Sequence, residues 1–426
     1  MLGLARDLIV AHYFGTSMQA DAFNMAYMLT GNFFIIFGCV GGPFYSSVIA
    51  NLPKISEGGN KTWIFIKDIL VKTTVALVLI SIALYIFKST LLQFFINQEA
   101  NPDYFNLTLI NIDILIPLVL ICGPIGIVYA VLNCYKKYAE PSFSPAIVNI
   151  VSIATVFIMG DSLNGLAMAI GTSLGGIASL LTQFRTLDQI KTTLKNKINE
   201  ISFDLKEQKQ NYHKILMPTL LATGASQLMV FVDGHFCAEL EAGSWTALVL
   251  SNRLIQMPLG ILLTAFLVPT FPRITKLIAE KNFSDVKKVL SKSIGILVLL
   301  CIPATLVGLF FSEPLIKLVF EHGAFDARST QMVSSTFYYL CFSIIPYVLR
   351  DCFTRTLYSF GEAKFAFYLT LSSVIIKYGL NYLLVKNFGL NGLAISTTLI
   401  TIINASIMLV ILIKTWRHAL NTQSSL

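Results

Sequence analysis

Arg253 stands in an otherwise apolar run, Leu248-Val249-Leu250-Ser251-Asn252-Arg253-Leu254-Ile255-Gln256. A guanidinium in such a setting is costly unless it meets water, an anion or a carboxylate. It lies eight residues from Trp245, where the run begins, or about 12 Å along a helix. Arg6 lies eight residues from Phe14 in another apolar run, at about the same depth. Two guanidiniums at matching depth suit an anion site, and the planar fork of arginine favours phosphate because it binds bidentately and stays charged. The same residues admit a structural reading, in which Arg6 pairs with Asp7 and Arg253 bonds backbone carbonyls. Asp21, Asn252 and Gln256 are the polar candidates for lining or gating the same space.

A second constellation lies in the later part of the chain. Lys377 and Asn381 are four residues apart and share a helical face. Asp233 lies in an earlier apolar run, and Thr397 and Thr398 in the next one. Asp233, Lys377, Asn381 and Thr397 together suit an ion-coupling cluster. Lys377 is itself a cation, so it stands where a bound sodium ion would by pairing with Asp233. A purely structural polar cluster is the alternative.

Other chemistries are absent from the pattern. The seven cysteines are scattered with no C-x-x-C pair, and the five histidines have no metal-ligand spacing. No nucleophile elbow, phosphate-binding loop or zinc helix is present, so no enzymatic activity and no cofactor is expected. Any pumping must draw on sodium, protons, membrane potential or the substrate gradient. The basic residues are dispersed over many loops, which argues against nucleic acid as a partner.

The elements that must hold these residues are membrane helices. The 426 residues are 55% apolar and only 13% charged, with mean hydropathy +0.71. Soluble chains carry about 25% charge. Twelve apolar stretches near the ~20-residue spanning length run at 1–15, 22–50, 64–94, 105–134, 143–160, 163–184, 214–238, 244–270, 291–311, 332–356, 364–385 and 390–414. Alternate connections hold 22 Lys and Arg, against three (Lys317, Arg328, Lys386) in the other set. That asymmetry predicts both termini on the cytoplasmic side of the bacterial inner membrane. The first stretch, about 21 Å long as a helix, is shorter than a ~30 Å core. Either it is tucked against its neighbours or the native start lies upstream of Met1.

The chain also repeats itself. Leu163-Asn164-Gly165-Leu166-Ala167 returns 227 residues later as Leu390-Asn391-Gly392-Leu393-Ala394. A period of half the chain predicts two homologous six-span bundles in parallel orientation, residues 1–184 and 214–426, around a central cavity. Residues 185–213 are a basic cytoplasmic linker between them. Its Leu187, Ile190, Leu194, Ile198 and Ile201 recur at helical spacing, which suits either an amphipathic helix on the anionic leaflet or a solvated linker. Residues 311–330 read as a short periplasmic cap, with a substrate gate as the alternative. Gly41-Gly42-Pro43 and Pro258-Leu259-Gly260 occupy equivalent places in the halves and read as paired hinges.

Several separate motifs resemble the MurJ/MviN lipid II flippases. Leu4-Ala5-Arg6-Asp7, Phe14-Gly15 and Ala20-Asp21-Ala22-Phe23 resemble that family's G-x-x-R-D, F-G and T-D-A-F. Asn252-Arg253-Leu254 with Pro258, Gly260 and Pro269 continues the resemblance, as do Phe320 to Phe325 and Arg355 to Glu362. The Gly-Gly-Pro-Phe at 41–44 looks most like the cyanobacterial branch. The resemblance spans essentially the whole chain.

It implies the multidrug/oligosaccharidyl-lipid/polysaccharide exporter fold, and flipping of undecaprenyl-pyrophosphate-linked peptidoglycan precursor from the cytoplasmic to the periplasmic leaflet. It also implies that Arg6 and Arg253 engage the pyrophosphate. The chain departs from the family pattern in lacking Lys or Arg from Met28 to Pro43, and in carrying Asn252 and Gln256 where the family often has carboxylates. Its sequence ends after the twelfth stretch, where many members have two more helices.

The resemblance makes lipid II, or a related polyprenyl-pyrophosphate glycolipid, the expected substrate and the bilayer the setting. A monomer is expected, with other cell-wall synthesis proteins as further partners. The alternatives are a flippase for an O-antigen or exopolysaccharide unit, a cation-coupled small-molecule exporter, and a non-transporting scaffold.

Overall fold

The computed structural model describes residues 2–38, 42–56, 58–163, 165–196 and 204–424. Among them there are sixteen α-helices, two five-residue π segments and no strand. The helices are α1 (Leu2–Phe14), α2 (Met18–Phe33), α3 (Pro43–Ile55), α4 (Gly59–Gln93), α5 (Pro102–Cys134), α6 (Ala139–Met159), α7 (Leu166–Lys195) and α8 (Leu205–Cys237). They continue with α9 (Ser244–Leu262), α10 (Val268–Ala279), α11 (Phe283–Phe310), α12 (Ser312–Phe320), α13 (Ala327–Cys341), α14 (Ile344–Ser359), α15 (Ala363–Phe388) and α16 (Leu390–Ser424). An all-helical solution follows from composition, because a helix satisfies every backbone donor and acceptor within its own segment.

Ten stretches among the described residues are long and apolar enough to span a membrane, and α13 with α14 makes an eleventh if that pair, bent by 46°, is one span. The expected first span is a helix of only 13 residues, about 20 Å long. It packs on α6, with Phe14 buried beside Val156, Ala167 and Met168.

The chain divides into two compact units, Met1–His235 and Phe236–Leu426. The border therefore falls inside α8, downstream of the 185–213 segment expected to separate the halves. In the first unit α5 is the central helix, packed by α2, α3, α4 and α7. The start of α8 belongs to this core: Tyr212 and Leu216 are buried in it, and Tyr212 meets Phe65 edge-to-face at 6.2 Å. Lys209 Nζ adds a 3.0 Å ion pair to Asp68 on α4.

The same core corrects the linker reading. Residues up to Lys195 continue α7, and Leu187, Ile190 and Leu194 are buried against Leu132, Ile69 and their neighbours. Their apolar stripe covers protein rather than lipid or water, since a helical stripe specifies that something apolar covers it and not what. Ile198 and Ile201 lie outside the described residues.

Each unit breaks one long helix with a π segment. Phe34–Gly38 follows α2, and Leu263–Leu267 follows α9. Their starts are 229 residues apart, close to the sequence repeat of 227. The expected hinges thus shift slightly: α9 continues through Pro258 and breaks downstream of it. In the first half Pro43 opens α3 after an extended Gly42, and Gly41 lies outside the described residues.

In the second unit α9 packs on α13, and α16 is shared by α14 and α15. The 311–330 segment forms α12 and a tied turn. Asp326 Oδ1 caps α13 by accepting from the Ser329 N–H at 2.8 Å. Thr330 donates to Glu321 at 2.7 Å, and Arg328 Nη2 donates to Glu241 at 2.8 Å. Chiefly because the Ser329 backbone N–H bonds it, the Asp326 carboxyl is held below its ordinary range.

Candidate functional site

The elements place the two candidate arginines differently. On α1, Arg6 donates from Nε and Nη2 to Asp7 Oδ1 at 3.2 and 3.0 Å. Asp7 is only 7% exposed, whereas the Arg6 side chain remains half-buried. The pairing foreseen as the structural alternative is therefore present. It leaves Nη1 of Arg6 with no hydrogen-bond acceptor among the described residues.

Arg253 occupies the less packed side of α9. Ser244, Leu248, Ser251, Ile255 and Leu259 form that helix's buried face. Ser251 Oγ fastens the face to α13 by donating to the Val333 carbonyl at 3.0 Å. Asn252 and Arg253 are half-buried on the other side, and Gln256 is exposed. Asn252 Nδ2 donates to the Leu248 carbonyl at 2.9 Å, one turn back. Asp21 is buried in the first turn of α2, where a carboxylate complements the helix dipole.

The residues of the four-residue cluster lie on three helices, α8, α15 and α16. Asp233 is buried on α8, Lys377 and Asn381 are buried on α15, and Thr397 lies on α16. The helices α15 and α16 pack as an antiparallel hairpin. Ser373 Oγ donates to Asn404 Oδ1 at 2.7 Å, which sets their register. Two turns further along α15, Asn381 comes level with Ser396 and Thr397. Lys377 lies between these rungs and is only 4% exposed. Ser373, Lys377 and Asn381 thus form a polar ladder inside the second unit.

Five charged side chains within the helices are not among the residues that the sequence singled out for chemistry. Lys88 on α4 pairs with Asp113 on α5 and sits 4.4 Å from the Tyr85 ring centroid. On α14, Asp351 accepts from Arg355 Nε at 3.0 Å, and Arg350 lies 4.2 Å over the Tyr347 ring. Spacing was the available signal: Tyr347, Arg350, Asp351, Thr354, Arg355 and Tyr358 recur at helical intervals in one span.

Ten long apolar helices among the described residues, with a π break in each of the two units, define a polytopic helical membrane protein. Solved structures agree on the fold. A lipid II flippase MurJ in an inward closed conformation superposes with TM-score 0.81 at 21% identity, covering 98% of this chain and 87% of that one. An inward-facing multidrug resistance transporter of the MATE family gives 0.83 at 13% identity, covering 99% and 95%.

The sequence places the chain more narrowly. The family model described as lipid II flippase MurJ matches residues 10–425, and the chain belongs to that family. A protein described as a probable lipid II flippase MurJ from Synechocystis is 26% identical, with 96% of this chain and 78% of that relative covered. One from Buchnera aphidicola subsp. Schizaphis graminum is also 26% identical, covering 95% and 78%.

Proposed function

We propose that this chain flips lipid II from the cytoplasmic to the periplasmic leaflet of the bacterial inner membrane by alternating access. The family match over residues 10–425 carries this reading. In it, Arg6 and Arg253 capture the pyrophosphate, the two units rock, and the polyprenyl tail stays in lipid while the headgroup crosses. Asp7 orients the Arg6 guanidinium and leaves an N–H edge for the substrate. Asp21, Asn252 and Gln256 line or gate the hydrated path. The chain is a transporter that makes and breaks no covalent bond. The excess of Lys and Arg in alternate loops supports cytoplasmic termini.

Lys377 bears on coupling. A buried ammonium in a membrane helix needs fixed oxygen partners, and the α15–α16 ladder is rich in them. In this reading the tethered ammonium stands in place of a free monovalent ion, and the cycle runs on the substrate gradient or membrane potential. A different polyprenyl-linked glycan is the second reading, favoured by the amides Asn252 and Gln256 where related chains often carry carboxylates.

Rescue of a bacterium depleted of its own lipid II flippase tests the function, with expression matched between the chain and its Arg253→Ala variant. Growth restored by the chain alone supports both function and site. Growth restored by both variants removes Arg253 from the mechanism, and no rescue by either points to the other glycan.

A further inference from the structure

One face of α14 packs and the other does not. Ile344, Val348, Cys352, Phe353, Thr356 and Leu357 are buried. Tyr347, Arg350, Asp351, Arg355 and Tyr358 line the opposite side, half-buried or exposed. An arginine facing hydrocarbon at mid-span costs about 2.5–3.5 kcal/mol or more, so this stripe borders water.

Its two arginines are not equivalent. Arg355 is neutralised by Asp351 one turn earlier. Arg350 has no hydrogen-bond or ion-pair partner among the described residues; Tyr347 holds it from below through the ring face. A guanidinium mounted over a ring keeps its N–H edges directed outward, the geometry that receives a planar oxyanion on two parallel donors. Arg350 is nine residues from Ser359 at the end of α14, about 14 Å. Arg253 lies at a similar depth, about 14 Å from the other end of its own helix, the start of α9. The second unit therefore carries two guanidiniums deep within its helices, on α9 and α14.

We propose that Arg350, seated on Tyr347, is an oxyanion-binding station of the second unit, which takes the phosphate of a lipid-borne headgroup. Assigning that phosphate to lipid II rests on the flippase reading. The phosphate of a membrane phospholipid offers the same chemistry.

The test is titration of the purified full chain with lipid II and, separately, with phosphatidylglycerol, read by native mass spectrometry. Arg350→Gln is expected to weaken binding about tenfold, the loss of one charge-assisted bidentate contact. Tyr347→Leu is expected to weaken it about two- to fivefold through the lost ring contact, and Arg350→Lys to fall between. Weakening toward lipid II supports the station and makes the substrate its source. Weakening toward phosphatidylglycerol alone supports the station and makes phospholipid its source. Unchanged binding of both lipids by all three variants, at unchanged thermal midpoint, overturns it. If Arg350→Gln does not fold, Arg350→Lys and Tyr347→Leu decide. Failure of the unmodified chain to bind lipid II would count against the flippase reading, and the phosphatidylglycerol titration would still decide on Arg350.

Discussion

Gly126 on α5 meets the carbonyl of Phe37 in the first π segment so closely that a β-carbon at 126 would lie 2.5 Å from that oxygen. The contact is reciprocal, since a β-carbon on Gly38 would lie 2.9 Å from the Cys122 carbonyl oxygen. Backbone packs directly on backbone there, and the break in the first unit is clamped. Its counterpart in the second unit is not: a β-carbon on Gly260, just before Leu263–Leu267, would meet nothing within 4 Å.

Gly126→Ala should therefore destabilise the protein by about 1–3 kcal/mol, the usual effect of overpacking. Gly260→Ala should be neutral or stabilise by up to about 1 kcal/mol, because alanine favours the helix without a clash. Thermal midpoints in detergent check both. Equal effects at the two sites would show that the breaks are held alike.

For Arg253, charge and shape separate in the substitution series. Arg253→Lys keeps the charge and loses the fork, so flipping should slow by about tenfold or more. Arg253→Ala should abolish rescue of the depleted strain. Full activity of the lysine variant, measured as lipid II appearing in the outer leaflet, would reduce the requirement to a point charge.

At Lys377 the expectation concerns ions. The unmodified protein should have the same thermal midpoint in sodium chloride and choline chloride. Lys377→Asn removes the tethered ammonium and leaves its oxygen-rich surroundings. Its midpoint should rise with sodium, by the equivalent of about 2.7 kcal/mol at a hundredfold excess over Kd. A sodium-independent variant would make the ladder purely structural.

Asp326 supplies a pH dependence with a defined sign. Its folded carboxyl titrates below the ordinary value, because the ionised form accepts the Ser329 N–H. Its stabilisation is complete above the unfolded pKa of about 3.9 and is lost as pH falls through the folded value. Asp326→Ala should cost about 1 kcal/mol near neutrality, as loss of an N-cap does. The gap from the unmodified protein should narrow below about pH 4, as seen in thermal midpoints between pH 3 and 7. A gap that stays constant with pH would exclude the ionised cap as its cause.

Much of the architecture was readable before any coordinate. Apolar runs marked the helices, because each residue's cost of entering hydrocarbon is local and sums along the segment. The repeat at Leu163 and Leu390 anticipated matching breaks at Phe34–Gly38 and Leu263–Leu267. Arg6 and Arg253 declared themselves because a guanidinium among apolar neighbours is anomalous by type alone. Arg350 did not stand out, because its significance depends on what its face packs against.

By itself, then, the sequence determined which segments become membrane helices, that they come in two related sets, and which side chains are out of place in lipid. Only the tertiary structure decided that Leu187, Ile190 and Leu194 pack on protein, that α8 joins the first unit, and that Ser373 meets Asn404 while Lys88 finds Asp113. Hydropathy is set residue by residue against the solvent. Partnership is set by how helices distant in the chain cross, and a period of 3.6 residues marks a face without naming what will cover it.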